Sequence, residues 1–311
     1  MKTLPSHLNP YLLTTFLNNT AWRAINEIRK QRHTFESQAK ITEYKEEEDV
    51  VTSADKAAQE IYVNSILECY PLAGIVAEED FSKKCEDPNY EYYFTVDPLD
   101  GTKAFKRGES SGVGTLISFV FEGQIVAACV GDVMTKEIYY TRAGSANVHQ
   151  LIRYENHKLL SLEKDKLSDS YVLIRDHPSK YSNFVQIITN PNHADRFFKS
   201  IEVKGGSIGI SYTNLWKNTI GAMIFRPHKT TPWDFFPCYG ISEKLGYKHF
   251  YILEDGSLQK INFEVQLKGY ISKIDYHETP HLHFSSEVLV IHESKVKEYE
   301  TMLENSINYA S

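Results

Sequence analysis

The chain has 311 residues, with 41 acidic side chains against 34 basic ones and a formal net charge of −7. That balance lacks the dense basic surface on which sequence-independent nucleic-acid binding rests. At 41% hydrophobic and 24% charged residues the composition is that of a globular protein, long enough for one large α/β domain or two subdomains sharing an interface.

The N-terminal run MKTLPSHLNPYLLTTFL has no long apolar centre, so no secretory leader is expected, and no apolar run approaches the ~18–20 residues of a membrane span. Cys69, Cys85, Cys129 and Cys238 form no CxxC pair and read as free thiols of a reducing compartment. A cytoplasmic protein without membrane partners is the expectation.

In chain order, Asn9-Pro10 reads as an N-cap followed by a first helical residue, and Leu13, Leu17, Ala21, Ala24 and Ile28 recur at helical spacing. The charged run KEEEDVVTSADK follows. Thr52 and Asp55 have capping-box spacing, so a second helix starts near Thr52 and ends by Pro71. GIVAE and YYFTV read as short strands. LISFVF turns through Glu122-Gly123 into IVAACV, which turns through Met134–Lys136 into EIYYTR, a run of antiparallel strands covered by the first two helices.

Residues 143–168 are polar and irregular. They divide an N-terminal α+β half, residues 1–160, from a C-terminal α/β half, residues 161–311. In the second half the strand YVLIR precedes a helix around ADRFFKS. A helix after Gly205-Gly206-Ser207 precedes the strand AMIFR, a helix ending near Gly246 precedes HFYIL, and VKEYETMLENSI closes the chain as a helix.

The stretch VDPLDGTKAF, residues 96–105, concentrates the chemistry. Asp97 ends an apolar strand and is expected at the sheet edge rather than in the core, and a proline turn brings Asp100 back toward it. Two carboxylates so close repel unless a cation lies between them, and hard divalent ions take oxygen ligands. Gly101 and Thr102 then open a short helical turn whose amides suit an anion. The plain alternative is a solvated acidic turn with a helix cap. Further acids stand at element ends: Glu78 and Glu79 after GIVA, Asp49 and Asp55 around a helix start, and Asp234 in TTPWDFFP. Asp55 reads most simply as a cap, Glu79 as solvent-facing, and Asp234 as an N-cap able to double as a metal ligand. Pro237 is harmless only in a first turn, which places the helix start close to Asp234.

The ordered blocks DVVTSAD, AEED, DPLDGTKAF and PWD resemble the inositol monophosphatase superfamily of Mg²⁺-dependent, lithium-sensitive phosphomonoesterases, with weaker similarity through GDVMTKEIYYT and SSEVLVIHES. The resemblance implies a layered αβαβα sandwich of the inositol monophosphatase and fructose-1,6-bisphosphatase type, two or three Mg²⁺ per site, and hydrolysis of a small phosphorylated metabolite by water attack assisted by two metal ions. Dimers are common in that family, so a homodimer is an expectation. Carried over by position, Glu78, Asp97 and the Leu99 carbonyl would hold one ion and Asp97, Asp100 and Asp234 a second. Asp49 and Thr102 would pair to position the attacking water with help from Glu78, and the Gly101 and Thr102 amides would meet the phosphate.

Lys103 after Thr102, and Arg226-Pro227 before Thr230–Trp233, resemble the 3'(2'),5'-bisphosphate nucleotidase branch, making 3'-phosphoadenosine 5'-phosphate the first expectation and an inositol or sugar phosphate the alternative. Ser207 of the Gly206-Ser207 block joins Lys103 and Arg226 as an expected substrate contact. The branch's lysine three residues beyond that serine is absent, and Phe235-Phe236-Pro237 replaces the family's small residues after Trp233-Asp234. That replacement motivates an alternative of another class, a non-catalytic regulator that kept the fold. His277-Glu278-Thr279-Pro280-His281 matches HExxH in form, but Pro280 breaks the helix that a zinc site of this kind needs, so it reads as a loop.

Overall fold

The structure is a computed structural model describing residues 4–40, 49–152, 156–159, 165–263 and 281–309. The HExxH-like run falls outside the described residues up to position 280.

Helix α1 (Pro10–Gln31) starts where expected: the Asn9 side chain accepts from the amides of Tyr11 and Leu12, and Pro10 takes the first position, where its missing N–H costs nothing. A ribbon of β1 (Ser37–Lys40) and β2 (Asp49–Thr52) leads into α2 (Ser53–Cys69), which opens with a reciprocal capping box between Thr52 and Asp55. Then come β3 (Gly74–Ala77), β4 (Phe81–Lys83), β5 (Tyr92–Asp100), α3 (Thr102–Lys106), β6 (Gly114–Phe121), β7 (Gln124–Asp132), β8 (Glu137–Thr141), β9 (Val148–Ile152) and β10 (Asn156–Leu159). The eight strands from β3 to β10 form one sheet in the order β10-β9-β8-β7-β6-β5-β3-β4. It is antiparallel except where β3 runs parallel to β5. Glu122 and Gly123 both take positive φ (50° and 73°) in the tight β6–β7 turn, the conformation that matches strand twist.

The second half contributes β11 (Tyr171–Ile174), α4 (Asn183–Thr189), β12 (Ser200–Val203), α5 (Ile208–Trp216), β13 (Ala222–Phe225), β14 (His228–Thr230), α6 (Pro232–Lys244), β15 (Tyr247–Ile252), β16 (Leu258–Lys260), β17 (Leu282–Phe284), β18 (Val288–His292) and α7 (Val296–Tyr309). A six-stranded sheet runs β12-β11-β13-β18-β15-β16, and β14 pairs with β17 in a separate ribbon.

Alternation along the strands builds the layers. Phe94, Val96, Ile117, Phe119 and Cys129 face α1 and α2, while Tyr93, Leu116, Val120, Ala128 and Val130 face α5 and α6. In the second sheet Met223, Phe225 and Val290 point at α5 and α6, and Ala222, Ile224, Leu289 and Ile291 point outward to α4 and α7. The result is the αβαβα sandwich, with α5 and α6 buried between the two sheets.

The helix expected around ADRFFKS is not there. Residues 191–199 are turns, and the helix lies upstream as α4, capped by Ser182 and burying Val185, Ile188 and Thr189. Asn190-Pro191 stops it, and the adjacent Phe197 and Phe198 plug the outer core, which needs no helical spacing.

Candidate metal and phosphate site

The site grows from an irregularity in β5. Asp97 lies opposite Leu116 of β6, and Asp100 opposite Gly114, so β5 carries one residue more than its partner between them. In an unbroken strand residues i and i+3 face opposite sides; a one-residue bulge cancels that and puts both carboxylates on one face. Pro98, which cannot donate to a ladder, sits inside the bulge. The strand thus runs through the expected proline turn, and Asp97 is buried at 2% exposure instead of lying at an edge.

Asp234 arrives from the first turn of α6. Thr231 occupies the cap position and Pro232 the first helical position, so Asp234 is the third helical residue and not the cap; the Thr231 hydroxyl donates to its Oδ2 at 2.9 Å. Pro237 falls beyond the first turn and deprives the Trp233 carbonyl of its partner. That costs about 3 kcal/mol, which burying Phe235 and Phe236 between the sheets, at about 2–3 kcal/mol each, offsets.

One oxygen from each of Asp97, Asp100 and Asp234 lies within 4.8 Å of the others. Burial, together with the charges of Glu78, Asp100 and Asp234, pushes the Asp97 carboxyl well above its usual range. Asp234 is pushed up to about 7 by burial, with Asp100 and Glu78 adding repulsion. Glu78, just past β3, anchors its amide on the Val96 carbonyl at 3.1 Å. Among the described residues Asp97 Oδ1 is buried and has no hydrogen-bond partner. Crowded carboxylates and an orphaned oxygen are a donor set that fits a hard divalent cation, so the residues present suit Mg²⁺.

Asp100 has a second attachment. It accepts hydrogen bonds from the Ser207 hydroxyl, from Ile208 N at 3.0 Å and from Gly209 N at 2.7 Å, and so sits on the N-terminus of α5. Ser207 caps that helix by accepting from Ile210 N at 2.9 Å, and it is fully buried. The Ser207 hydroxyl, an expected substrate contact, is engaged by Asp100 and by the cap. Arg175, which sequence reasoning missed, clamps the same turn from the end of β11. It donates to the carbonyls of Gly206 (2.6 Å) and Ser207 (3.2 Å) and to Ser211 Oγ (2.8 Å). No local pattern marks it, because its partners lie more than thirty residues away.

Gly101 stands at φ +92°, and a Cβ there would lie 2.3 Å from the Gly112 carbonyl. This left-handed residue turns the chain from the bulge into α3, whose first two residues are Thr102 and Lys103. Thr102 Oγ1 lies 3.0 Å from Asp55 Oδ1 and 3.1 Å from the Leu99 carbonyl, positioned to donate to either. Among the described side chains the carboxylate partner of Thr102 is Asp55; the expected partner, Asp49, lies in β2 and its side chain is outside the described residues. Asp55 also completes the capping box of α2, and burial raises it to about 6 against the pull of its Thr52 and Thr102 bonds. Arg226 is engaged by Asp176, its Nε 2.8 Å from Oδ2.

Proteins of known structure share this architecture. SuhB from Bartonella henselae matches 94% of this chain and 98% of its own, with a TM-score of 0.65 at 16% identity. A staphylococcal inositol monophosphatase solved with products matches 97% of this chain and 96% of its own, with a TM-score of 0.62 at 17% identity. An inositol monophosphatase/NADP phosphatase solved with Mg²⁺ and phosphate matches at a TM-score of 0.58 and 18% identity, covering 94% and 93%.

The model of the inositol monophosphatase family matches residues 11–281, and the chain belongs to that family. Among curated relatives, Nus factor SuhB of Vibrio cholerae is 36% identical over 126 residues, 40% of this chain and 45% of that protein. The 3'(2'),5'-bisphosphate nucleotidase CysQ of Salmonella typhimurium is 33% identical over 111 residues, 35% of this chain and 44% of its own. The chain spans under half the length of these curated relatives.

Proposed function

We propose that this protein is a Mg²⁺-dependent phosphomonoesterase acting on a small phosphorylated metabolite. The observation that carries the reading is the convergence of Asp97, Asp100 and Asp234 in a largely buried site where, among the described residues, Asp97 Oδ1 has no hydrogen-bond partner. Glu78, Asp97, the Leu99 carbonyl, Asp100 and Asp234 would hold two or three ions. Bound Mg²⁺ would supply charge stabilisation for the entering and leaving oxygens of an in-line displacement.

The remaining work falls to the chain. With its proton directed at Asp55, the Thr102 hydroxyl keeps oxygen lone pairs to accept a proton from an attacking water, and Asp55 is the base that can draw that charge away. Its raised pKa, about 6, lies in the range where a carboxylate both accepts and releases a proton near neutral pH. Glu78 stands on the same side and can share that role. Gly101 leaves the backbone bare where the phosphate approaches. Lys103 follows Thr102 and offers a cation to the ester. Its place there and the CysQ relative support a 3'(2'),5'-bisphosphate nucleotide as substrate. We further place the protein in the cytoplasm, a reading supported by its unpaired cysteines; among the described residues no helix is long and apolar enough to cross a membrane.

The test is phosphate release from 3'-phosphoadenosine 5'-phosphate, inositol 1-phosphate and fructose 1,6-bisphosphate with Mg²⁺ and with chelator. Mg²⁺-dependent turnover that Asp97→Asn lowers by about 10²-fold or more is expected. Full activity in that variant, or no release by the wild type from any small phosphomonoester, overturns the reading.

A further inference from the structure

Asp55, Gln59, Tyr62 and Ile66 recur along α2 at i, i+4, i+7 and i+11, so they form one stripe of the helix, and all four are buried. A helix face turned to a core is expected to be apolar. This one is polar from Asp55 to Tyr62 and turns apolar at Ile66. Each of the polar side chains ends on a segment that carries a residue of the acidic site: Asp55 on Thr102, Gln59 on the residue after Glu78, and Tyr62 on the β6 residue that holds Asp97.

Gln59 bonds twice to the backbone of Glu79. Its Nε2 donates to the carbonyl at 2.6 Å, and its Oε1 accepts from the amide at 3.0 Å. Glu78 is thereby fixed from both sides, since its own amide donates to the Val96 carbonyl of β5. Tyr62 acts through Thr115. Asp97 lies opposite Leu116 and Asp100 opposite Gly114, so Thr115 is the β6 residue that faces the bulge. Its hydroxyl lies 3.3 Å from the Asp97 carbonyl, which can only accept, so the threonine proton is spent there. The Tyr62 hydroxyl, 2.8 Å away, then donates to the threonine oxygen. A bulge disrupts the ladder locally, and here two hydroxyls in series tie it to α2.

We infer that Gln59 and Tyr62 are positioning residues, Gln59 for Glu78 and Tyr62 for Asp97, and that through those acids they set the affinity for Mg²⁺. The inference rests on the reading that these acids hold the ion, and extends it to side chains whose own partners are protein groups. Burying an amide and a phenol hydroxyl costs free energy that only well-made hydrogen bonds recover. Packing α2 on the sheet does not require them, since Ile66 does so with carbon alone. Fixing the approach of two carboxylates does. Losing a partner that orients an ion's ligands costs about 10–100-fold in affinity or activity.

Calorimetric titration of the full chain with Mg²⁺, without ester, tests this beside steady-state rates. Gln59→Leu keeps the volume and removes both bonds; Tyr62→Phe keeps the ring and removes the hydroxyl. Gln59→Leu is expected to raise the Mg²⁺ Kd about tenfold or more, and Tyr62→Phe to raise it in the same direction. The Mg²⁺ needed for half-maximal rate is expected to rise in step, with KM for the ester at saturating Mg²⁺ unchanged. Ile66→Val, on the same stripe, is expected to lower Tm and to leave the Mg²⁺ Kd as it was, which a merely structural role of the stripe does not predict. Melts of each variant confirm folding. A Kd equal to that of the wild type removes the residue concerned, and an equal rise in Ile66→Val removes both. Weakened Mg²⁺ binding in variants of a chain that releases phosphate from no ester sinks the hydrolase reading and leaves the positioning standing. Mg²⁺-dependent release whose Mg²⁺ requirement both variants leave unchanged sinks the positioning alone, and a wild-type chain that binds no Mg²⁺ overturns both.

Discussion

Thr102 and Asp55 stand 47 residues apart and meet at 3.0 Å, joining the turn after the β5 bulge to the first turn of α2. Asp55 therefore holds two positions at once, as cap residue and as the acceptor behind Thr102. Separate variants pull these apart. Thr52→Ala breaks the capping box and is expected to cost about 1 kcal/mol of stability while leaving kcat within a few-fold. Asp55→Asn is expected to lower kcat by about 10²-fold or more. Denaturant melts and steady-state rates report the two effects; equal kcat losses in both variants would show that Asp55 is a cap and nothing else.

Asp97 sits among repelling carboxylates, so its replacement has opposite effects on stability and on catalysis. Without Mg²⁺, Asp97→Asn is expected to raise Tm by about 2 °C or more, because an amide removes a buried acid that its neighbours oppose. Wild-type Tm is expected to climb as Mg²⁺ is added, and the variant's to stay flat. A Mg²⁺ response that survives the substitution would remove Asp97 from the ion site.

The Ser207 hydroxyl faces Asp100 and the α5 cap, not solvent. Ser207→Ala is expected to cost about 1 kcal/mol of stability and to lower kcat with KM for the ester unchanged. A raised KM at constant kcat would mean that the hydroxyl meets substrate after all.

Two glycines with positive φ form a matched pair. At Gly101 a methyl group would lie 2.3 Å from the Gly112 carbonyl, whereas at Gly108 (φ +68°) nothing lies within 4 Å. Gly108→Ala is expected to cost about 1–2 kcal/mol from backbone conformation alone, and Gly101→Ala clearly more, with turnover abolished. Similar melts for the two variants would contradict the crowding at Gly101.

His249 sets an acid limit on stability. Burial, with a smaller contribution from Lys248, holds its pKa down at about 3 against an ordinary 6.5. Between those values the unfolded chain binds the proton and the folded chain does not, so stability is present above about pH 6.5 and is lost as pH falls toward 3. The slope approaches about 1.4 kcal/mol per pH unit. Whatever its stability at neutral pH, His249→Leu is expected to flatten that dependence in denaturant melts between pH 6.5 and 4. An unchanged slope would show that the imidazole is not buried in its neutral form.

Much of this molecule is written in short-range patterns. Asn9-Pro10, the Thr52–Asp55 spacing, the Glu122-Gly123 turn and the alternating strands act within a few residues of themselves, so caps and strands could be read directly from them, while the layered order came with the family resemblance. Glu78, Asp100, Asp55 and Asp234 stand at strand ends and first helical turns, as their sequence context suggests, whereas Asp97 lies inside β5.

Other features were set by distant partners. The same Thr52–Asp55 spacing that marks a cap hides the bond from Asp55 to Thr102. Only pairing with β6 reveals that β5 gains a residue between Asp97 and Asp100, and only the packing of α5 and α6 between the two sheets buries Ser207 and Phe235. Phe197 and Phe198 showed no helical spacing because a core hole, not a helix face, selected them. Local propensity acts through backbone torsions and neighbouring side chains and is legible in the amino-acid order. The convergence of oxygens at the acidic site depends on register and layer packing between segments a hundred residues apart, which the order of residues alone does not determine.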